Sequence, residues 1–186
     1  SMIDQYNIVW SEQSKNSSES MPCGGRDIGL NVWVENGELL FYAQRSGCFD
    51  ENNEYMKLGR FRIRFDPNPF VLGGEFRQEL RLREGFVRIL GQSESARAEV
   101  NIWVEVDRSV VHVEIEADVL LSVEAAYEGW RNELEELPDG QSDGKRNRFG
   151  CFSWDAYPGK VVRYPDSVSF DGDRVAFHHR NQDDHL

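Results

Sequence analysis

Cysteine is scarce in this chain. Only Cys23, Cys48 and Cys151 occur among 186 residues, so one thiol is left over whichever two pair. Their spacing fits no zinc framework. Two readings stay open: three small buried apolar residues, or one bridge plus one free thiol. Positive charge is scarce as well. With 21 Lys and Arg against 33 Asp and Glu, the net charge is 21 − 33 = −12. Nucleic acid is therefore not an expected partner, because phosphate binding needs clustered cations. No apolar run approaches the ~20 residues of a membrane-spanning helix. Ser1-Met2-Ile3-Asp4 has neither the basic start nor the apolar stretch of a signal peptide. Ser1 reads as a cloning remnant, and any export signal is expected to have been removed. Helical periodicity is confined to one expected turn over residues 130–137, ended by Pro138-Asp139-Gly140. No internal repeat, low-complexity tract or linker divides the chain.

Strand signals fill the space that helices leave. Ile28–Glu35 and residues 38–45 are rich in β-branched and aromatic side chains and flank Asn36-Gly37. That pair accepts positive φ at both central positions of a type I′ turn, whose twist suits a hairpin. Phe61, Ile63 and Phe65 alternate with Arg60, Arg62 and Arg64, the mark of a half-buried strand with one wet face. A second hairpin is expected around Glu84-Gly85 and a third around Asp171-Gly172-Asp173. Val100, Ile102, Val104 and Val106 are expected to face one way, answered by Val111, Val113, Ile115 and Ala117. Residues 121–127 should continue the meander. Many short strands with turn signals at near-regular spacing predict an all-β fold, an antiparallel β-sandwich of the super-sandwich type with little helix. A chain this long buries roughly 70% of its unfolded surface and needs no metal or disulfide to fold. Residues 1–186 are expected to form one such domain. The abrupt ending at Leu186 suggests a cut through a longer protein.

Chemistry is harder to find. Asp50-Glu51 with Glu54, Glu133-Glu135-Glu136 and Asp183-Asp184 are the densest acid clusters. None lies in an apolar setting that would raise a carboxyl pKa, as glycoside hydrolysis requires. No catalytic residue is assigned. Asp139, Asp143 and the Asp171-Gly172-Asp173 turn hint at a calcium loop, but residues 141 (Gln) and 150 (Gly) break the pattern. His178 and His179 are neighbours on a strand and point to opposite faces, so they cannot chelate one ion. No metal and no cofactor is expected. There is no Gly-x-Ser-x-Gly elbow, and Cys23 has no evident base. The turn Gly24-Gly25-Arg26-Asp27 is followed by a strand, where a phosphate loop needs a helix and a Lys. Five tryptophans remain. Trp33 and Trp103 sit in strong strands and are expected in the core. Trp130 and Trp154, with Tyr157, flank the polar stretch 138–148 and could stack on sugars.

The run Met21-Pro22-x-Gly24-x-x-Asp27-Ile28-Gly29-Leu30-Asn31-Val32-Trp33 carries a resemblance. It continues in Gly37-x-Leu39-Leu40-Phe41-Tyr42, Asp50-Glu51-Asn52 and Lys57-Leu58-Gly59-Arg60. Together these resemble the N-terminal β-sandwich domain, of the domain-of-unknown-function type, on large secreted carbohydrate-active proteins of gut-type Bacteroidetes. More distantly, Pro22-x-Gly24…Gly29 is similar to the opening of family ninety-five glycoside hydrolases, the α-L-fucosidase type. The resemblance covers nearly the whole chain, including Phe76-Arg77-Gln78 and His179-Arg180-Asn181. It implies a non-catalytic accessory domain packed on a following (α/α)6 barrel that holds the catalytic carboxylates, in the periplasm or outside the cell. Arg26, Asp27, Asp50, Glu51 and Asn52 would then be candidates for the rim of the substrate cleft. The parent protein would be a glycoside hydrolase-like enzyme, and this chain alone would release no sugar. One departure matters: Gly24-Gly25-Arg26 stands where the family usually shows Gly-Asn-Gly. Two other functions compete, a carbohydrate-binding module using Trp130, Trp154 and Tyr157, and a purely structural domain.

Overall fold

Asn36 and Gly37 adopt φ values of 51° and 78°, so the expected turn forms and joins β3 (Ile28–Glu35) to β4 (Glu38–Phe49). Their register is the one that a two-residue loop dictates, with Glu35 opposite Glu38 and Val32 opposite Phe41. The computed structural model describes residues 2–51, 55–136 and 162–182. Its chain divides into two compact units, Ser1–Ser46 with Leu58–Glu128 and Gly47–Lys57 with Gly129–Leu186. Among the described residues, no helix is long and apolar enough to cross a membrane.

The first unit is a sandwich of two antiparallel five-stranded sheets. One sheet has the order β1-β6-β7-β8-β9, built from Ile8–Trp10, Glu75–Arg81, Phe86–Gln92, Arg97–Val104 and Val111–Ala117. The other has the order β10-β5-β4-β3-β2, where β2 is Met21–Gly25, β5 is Tyr55–Asp66 and β10 is Ser122–Glu128. Period-two alternation turns one face of each sheet inward. Val87, Ile89, Val100 and Ile102 from the first sheet and Val32, Leu39, Phe41 and Ile63 from the second share one core. Each such side chain contributes roughly 1.5–3 kcal/mol when fully buried.

Four expectations about this unit are corrected. Met21–Gly25 is a strand paired with β3, so the loop contracts to Arg26-Asp27. Val106 is 76% exposed because β8 ends at Val104. Residues 122–128 leave the meander and pair with β5, crossing to the other sheet. That crossing satisfies the edge of β5, and it matches acids to bases. Arg60 and Arg62 bond Glu128, Arg62 and Arg64 bond Glu38, and Arg64 lies 2.9 Å from Glu124. The Arg62 hydrogen bond, outweighing the opposing effect of burial, holds the Glu128 carboxyl below the ordinary carboxylate range. Trp33 is buried as expected (1% exposed). Trp103 is only half-buried. It stands on the outer face of its sheet with the His112 ring stacked at 4.8 Å, so its placement in the core is corrected.

In the second unit the Asp-Gly-Asp turn forms as expected and joins β13 (Ser167–Asp171) to β14 (Arg174–His178). Among its described residues, 130–136, the expected helical turn does not form, and β11 (Glu135–Glu136) pairs instead with β12 (Val162–Arg163). Cross-strand bonds there replace the local ones a helix would have made, with Arg163 reaching Glu135 at 3.1 Å. The two helical elements among the described residues are 3-10 turns at Ile3–Tyr6 and Ser17–Glu19. Cys23 and Cys48 are free thiols. Burial pushes the Cys23 thiol up, in keeping with a small apolar role, while Cys151 lies outside the described residues.

Candidate functional site

The turn Arg26-Asp27 is fixed rather than free. Arg26 has a φ of 31°, in the left-handed region that favours glycine. A glycine would take that conformation without strain, and Arg26 offsets its cost through a guanidinium bond to the Asp107 carbonyl. Asp27 accepts from Ser109 Oγ at 2.5 Å and from Arg45 Nε at 2.7 Å, while its carbonyl receives Ser46 N at 2.8 Å. The Ser109 bond, then the Arg45 bond, draw its carboxyl below the ordinary carboxylate range. Gly25 explains why the turn sits so close to the β8–β9 connection. A Cβ there would lie 2.6 Å from the Val104 carbonyl oxygen and 2.9 Å from that of Glu105. Both atoms are backbone and cannot swing aside. Gly25→Ala should therefore destabilise the unit by about 1–3 kcal/mol, an overpacking cost. Denaturant titration measures it, and an unchanged midpoint would show that the two turns are not in contact.

The second unit contains a buried charge cluster that the sequence reading only half saw. Glu51, Asp166 and His179 have side chains 4%, 3% and 5% exposed. His179 Nε2 lies 2.8 Å from Glu51 Oε2, and Nδ1 lies 2.9 Å from Asp166 Oδ1. Arg131 grips Asp166 with two bonds, Nε at 2.8 Å and Nη2 at 2.7 Å. It also donates to the Lys57 carbonyl at 3.2 Å. The second oxygen of Glu51 accepts Tyr164 N at 3.1 Å. Hairpin register produces half of this geometry. Ser167 faces His178, so the next pair outward is Asp166 and His179. The strand alternation that separates His178 from His179 is visible in their burial: His178 is exposed, whereas the His179 side chain is enclosed.

Proton counting defines what the cluster can do. Two ring nitrogens facing two carboxylate oxygens need two hydrogens between them, where a neutral imidazole supplies one. Both nitrogens are occupied, so neither is open to a substrate or a metal. Among the described residues, no three His, Cys, Asp or Glu side chains could hold a metal ion together. The cluster is a clamp that ties the Asp50-Glu51 segment, Arg131 and the two ends of a hairpin.

The other expected residues are dispersed. Asp50 is buried (6% exposed) and Glu51 belongs to the clamp. Trp130 is 49% exposed, with Lys57 Nζ 5.9 Å from its ring centre. Asn52, Trp154 and Tyr157 lie outside the described residues, as do Glu54, Asp139, Asp143, Asp183, Asp184 and the stretch 138–148. Asp166 and Arg131 were missed by sequence reasoning. Extending the register of the Asp171-Gly172-Asp173 hairpin by one pair finds Asp166, while no local signal marks Arg131.

The class that this fold defines is an all-β domain whose main unit is a two-sheet antiparallel sandwich. More narrowly, the chain belongs to the DUF5703_N family, a domain of unknown function (DUF5703), whose model matches residues 9–186. No curated protein matches the chain.

Proposed function

We propose that the chain is a non-catalytic N-terminal accessory domain of a secreted glycoside hydrolase-like protein, packing on a catalytic barrel in the same polypeptide. The observation that carries this reading is the hairpin β13–β14. Its register sets Val168 against Phe177 and Phe170 against Val175, so all four share one face. Ser167, Ser169, Ala176 and His178 take the other. Val168, Phe170 and Val175 are 43%, 77% and 40% exposed. A two-stranded ribbon is marginal in water and gains stability when its apolar face is covered. The placement of Asp27 and Glu51 supports the non-catalytic half. Each is already engaged by side-chain and backbone donors, whereas glycoside hydrolysis needs two carboxyls facing a sugar across a cleft.

The test has two arms. Incubated with α-L-fucosides and with plant or host glycans, the chain alone should release no sugar, and turnover at enzyme-like rates would refute the reading. In the longer polypeptide, amides of 167–178 should exchange at least ~10-fold more slowly than in the chain alone, equivalent to about 1.4 kcal/mol of added protection. Equal exchange would remove the docking role. A second reading, a carbohydrate-binding module, is favoured by the half-exposed indole of Trp130. Calorimetry on Trp130→Ala separates the two, because only a binding module would lose glycan heat.

A further inference from the structure

One end of the sandwich of the first unit carries an open cleft of about 820 Å³. Its walls are the β5–β6 connection, residues 66–75, and the β7–β8 turn, residues 92–95. Both walls are pre-built. Phe70 anchors the first by burying its ring (1% exposed). Gln13 Nε2 holds the Phe70 carbonyl at 2.7 Å, and Asn68 bridges Gly37 O and Phe70 N at 3.0 Å and 2.8 Å. The Ser93 hydroxyl closes the second wall by accepting from Ser95 N and Ala96 N at 3.2 Å and 3.1 Å. A smaller cavity of about 190 Å³ adjoins it and shares Glu75 and Gln92. Register places Glu75, Gln92 and Arg97 in one row on the outer face of the sheet, beside the row of Arg77 and Leu90.

On the outer faces of the sheets, Glu38, Glu99, Glu124 and Glu128 each have an arginine partner. Asp66, Glu75 and Glu94 line the cleft, exposed and with no ion pair among the described residues. Val71 and Leu72 stand 42% and 70% exposed on a loop that is otherwise tied down. Unpaired carboxylates, an amide and hydroxyls beside an exposed aliphatic patch match the two surfaces of a sugar ring, hydroxyl edge and C–H face. Three carboxylates and no cation around the larger cleft disfavour an anionic ligand.

We propose that this groove binds a neutral oligosaccharide, with hydroxyls read by Glu75, Gln92, Glu94 and Arg97 and a ring face laid on Val71 and Leu72. The choice of ligand class rests on the accessory-domain reading, while the site is one that this reading does not name. The test is a titration of the isotopically labelled chain, followed by amide shifts, with cellotetraose, xylotetraose and mannotetraose, and with a tetragalacturonide as the anionic counterpart. Saturable shifts at 71–75 and 92–97 with at least one neutral sugar, at a Kd tighter than ~1 mM, are expected. Glu75→Ala combined with Gln92→Ala should weaken binding at least ~10-fold, and the same spectra show that the variant is folded. No shift with any neutral sugar by ~10 mM, shifts centred elsewhere, or equal binding of the tetragalacturonide would each overturn the proposal. New reducing ends in the same samples would instead sink the non-catalytic reading and leave this site standing.

Discussion

His179→Ala should cost the second unit about 3–5 kcal/mol, the penalty for leaving buried charge without its partner. Glu51 and Asp166 are enclosed at 4% and 3% exposure. Truncating the imidazole leaves Glu51 with only Tyr164 N among its described partners. Asp166 keeps Arg131, so the larger share of the loss falls on Glu51. A second substitution exposes that asymmetry. Adding Glu51→Ala to His179→Ala removes the stranded carboxylate, and the pair should cost clearly less than the sum of the two singles, by 0.5–3 kcal/mol in the usual range for groups in contact. His179→Gln, whose two N–H donors share one nitrogen and cannot take the places of both ring nitrogens, should fall between Ala and the native residue. Hydrogen exchange of amides 163–178 with denaturant unfolding gives all three numbers. Strict additivity of the two Ala changes would mean that the imidazole and the carboxylate do not interact.

Phe70→Ala should destabilise the first unit by a similar amount, about 3–5 kcal/mol for a phenyl ring removed from a packed core. The ring meets Phe65 edge-on at 5.3 Å and Phe76 at 6.4 Å. Gly91 lies beneath it, where any Cβ would run into the ring, so the site is shaped around this side chain and cannot easily collapse. The unfolding midpoint should fall with little change in slope, since the same surface is exposed on unfolding. Loss of Phe70 also frees the wall that Gln13 and Asn68 hold, so amides 68–75 should exchange faster before global unfolding begins. A loss below about 1 kcal/mol would place the ring outside the core.

Legibility followed the range of the interaction. Asn36-Gly37 and Asp171-Gly172-Asp173 named their hairpins because turn geometry is a property of a few adjacent residues, and register then follows by counting. Counting one pair further would have set Asp166 beside His179. Arg131 could not be found this way, since 35 residues separate it from Asp166 and nothing local favours that partner over others. Residues 130–136 misled for the same reason. Their composition permits a helical turn, and pairing of Glu135 with Arg163 overrode it. Glu51 read as a surface acid among polar neighbours. Its burial depends on His179, which is 128 positions away.

Alternation and turn chemistry determined by themselves that this protein is an all-β sandwich, because each of those signals repeats within a few residues. Which strand crosses to the other sheet, which acids are clamped and which stand open in the cleft were decided only when distant segments met. Contacts between such segments depend on chain closure over tens of residues, for which no local pattern encodes the partner.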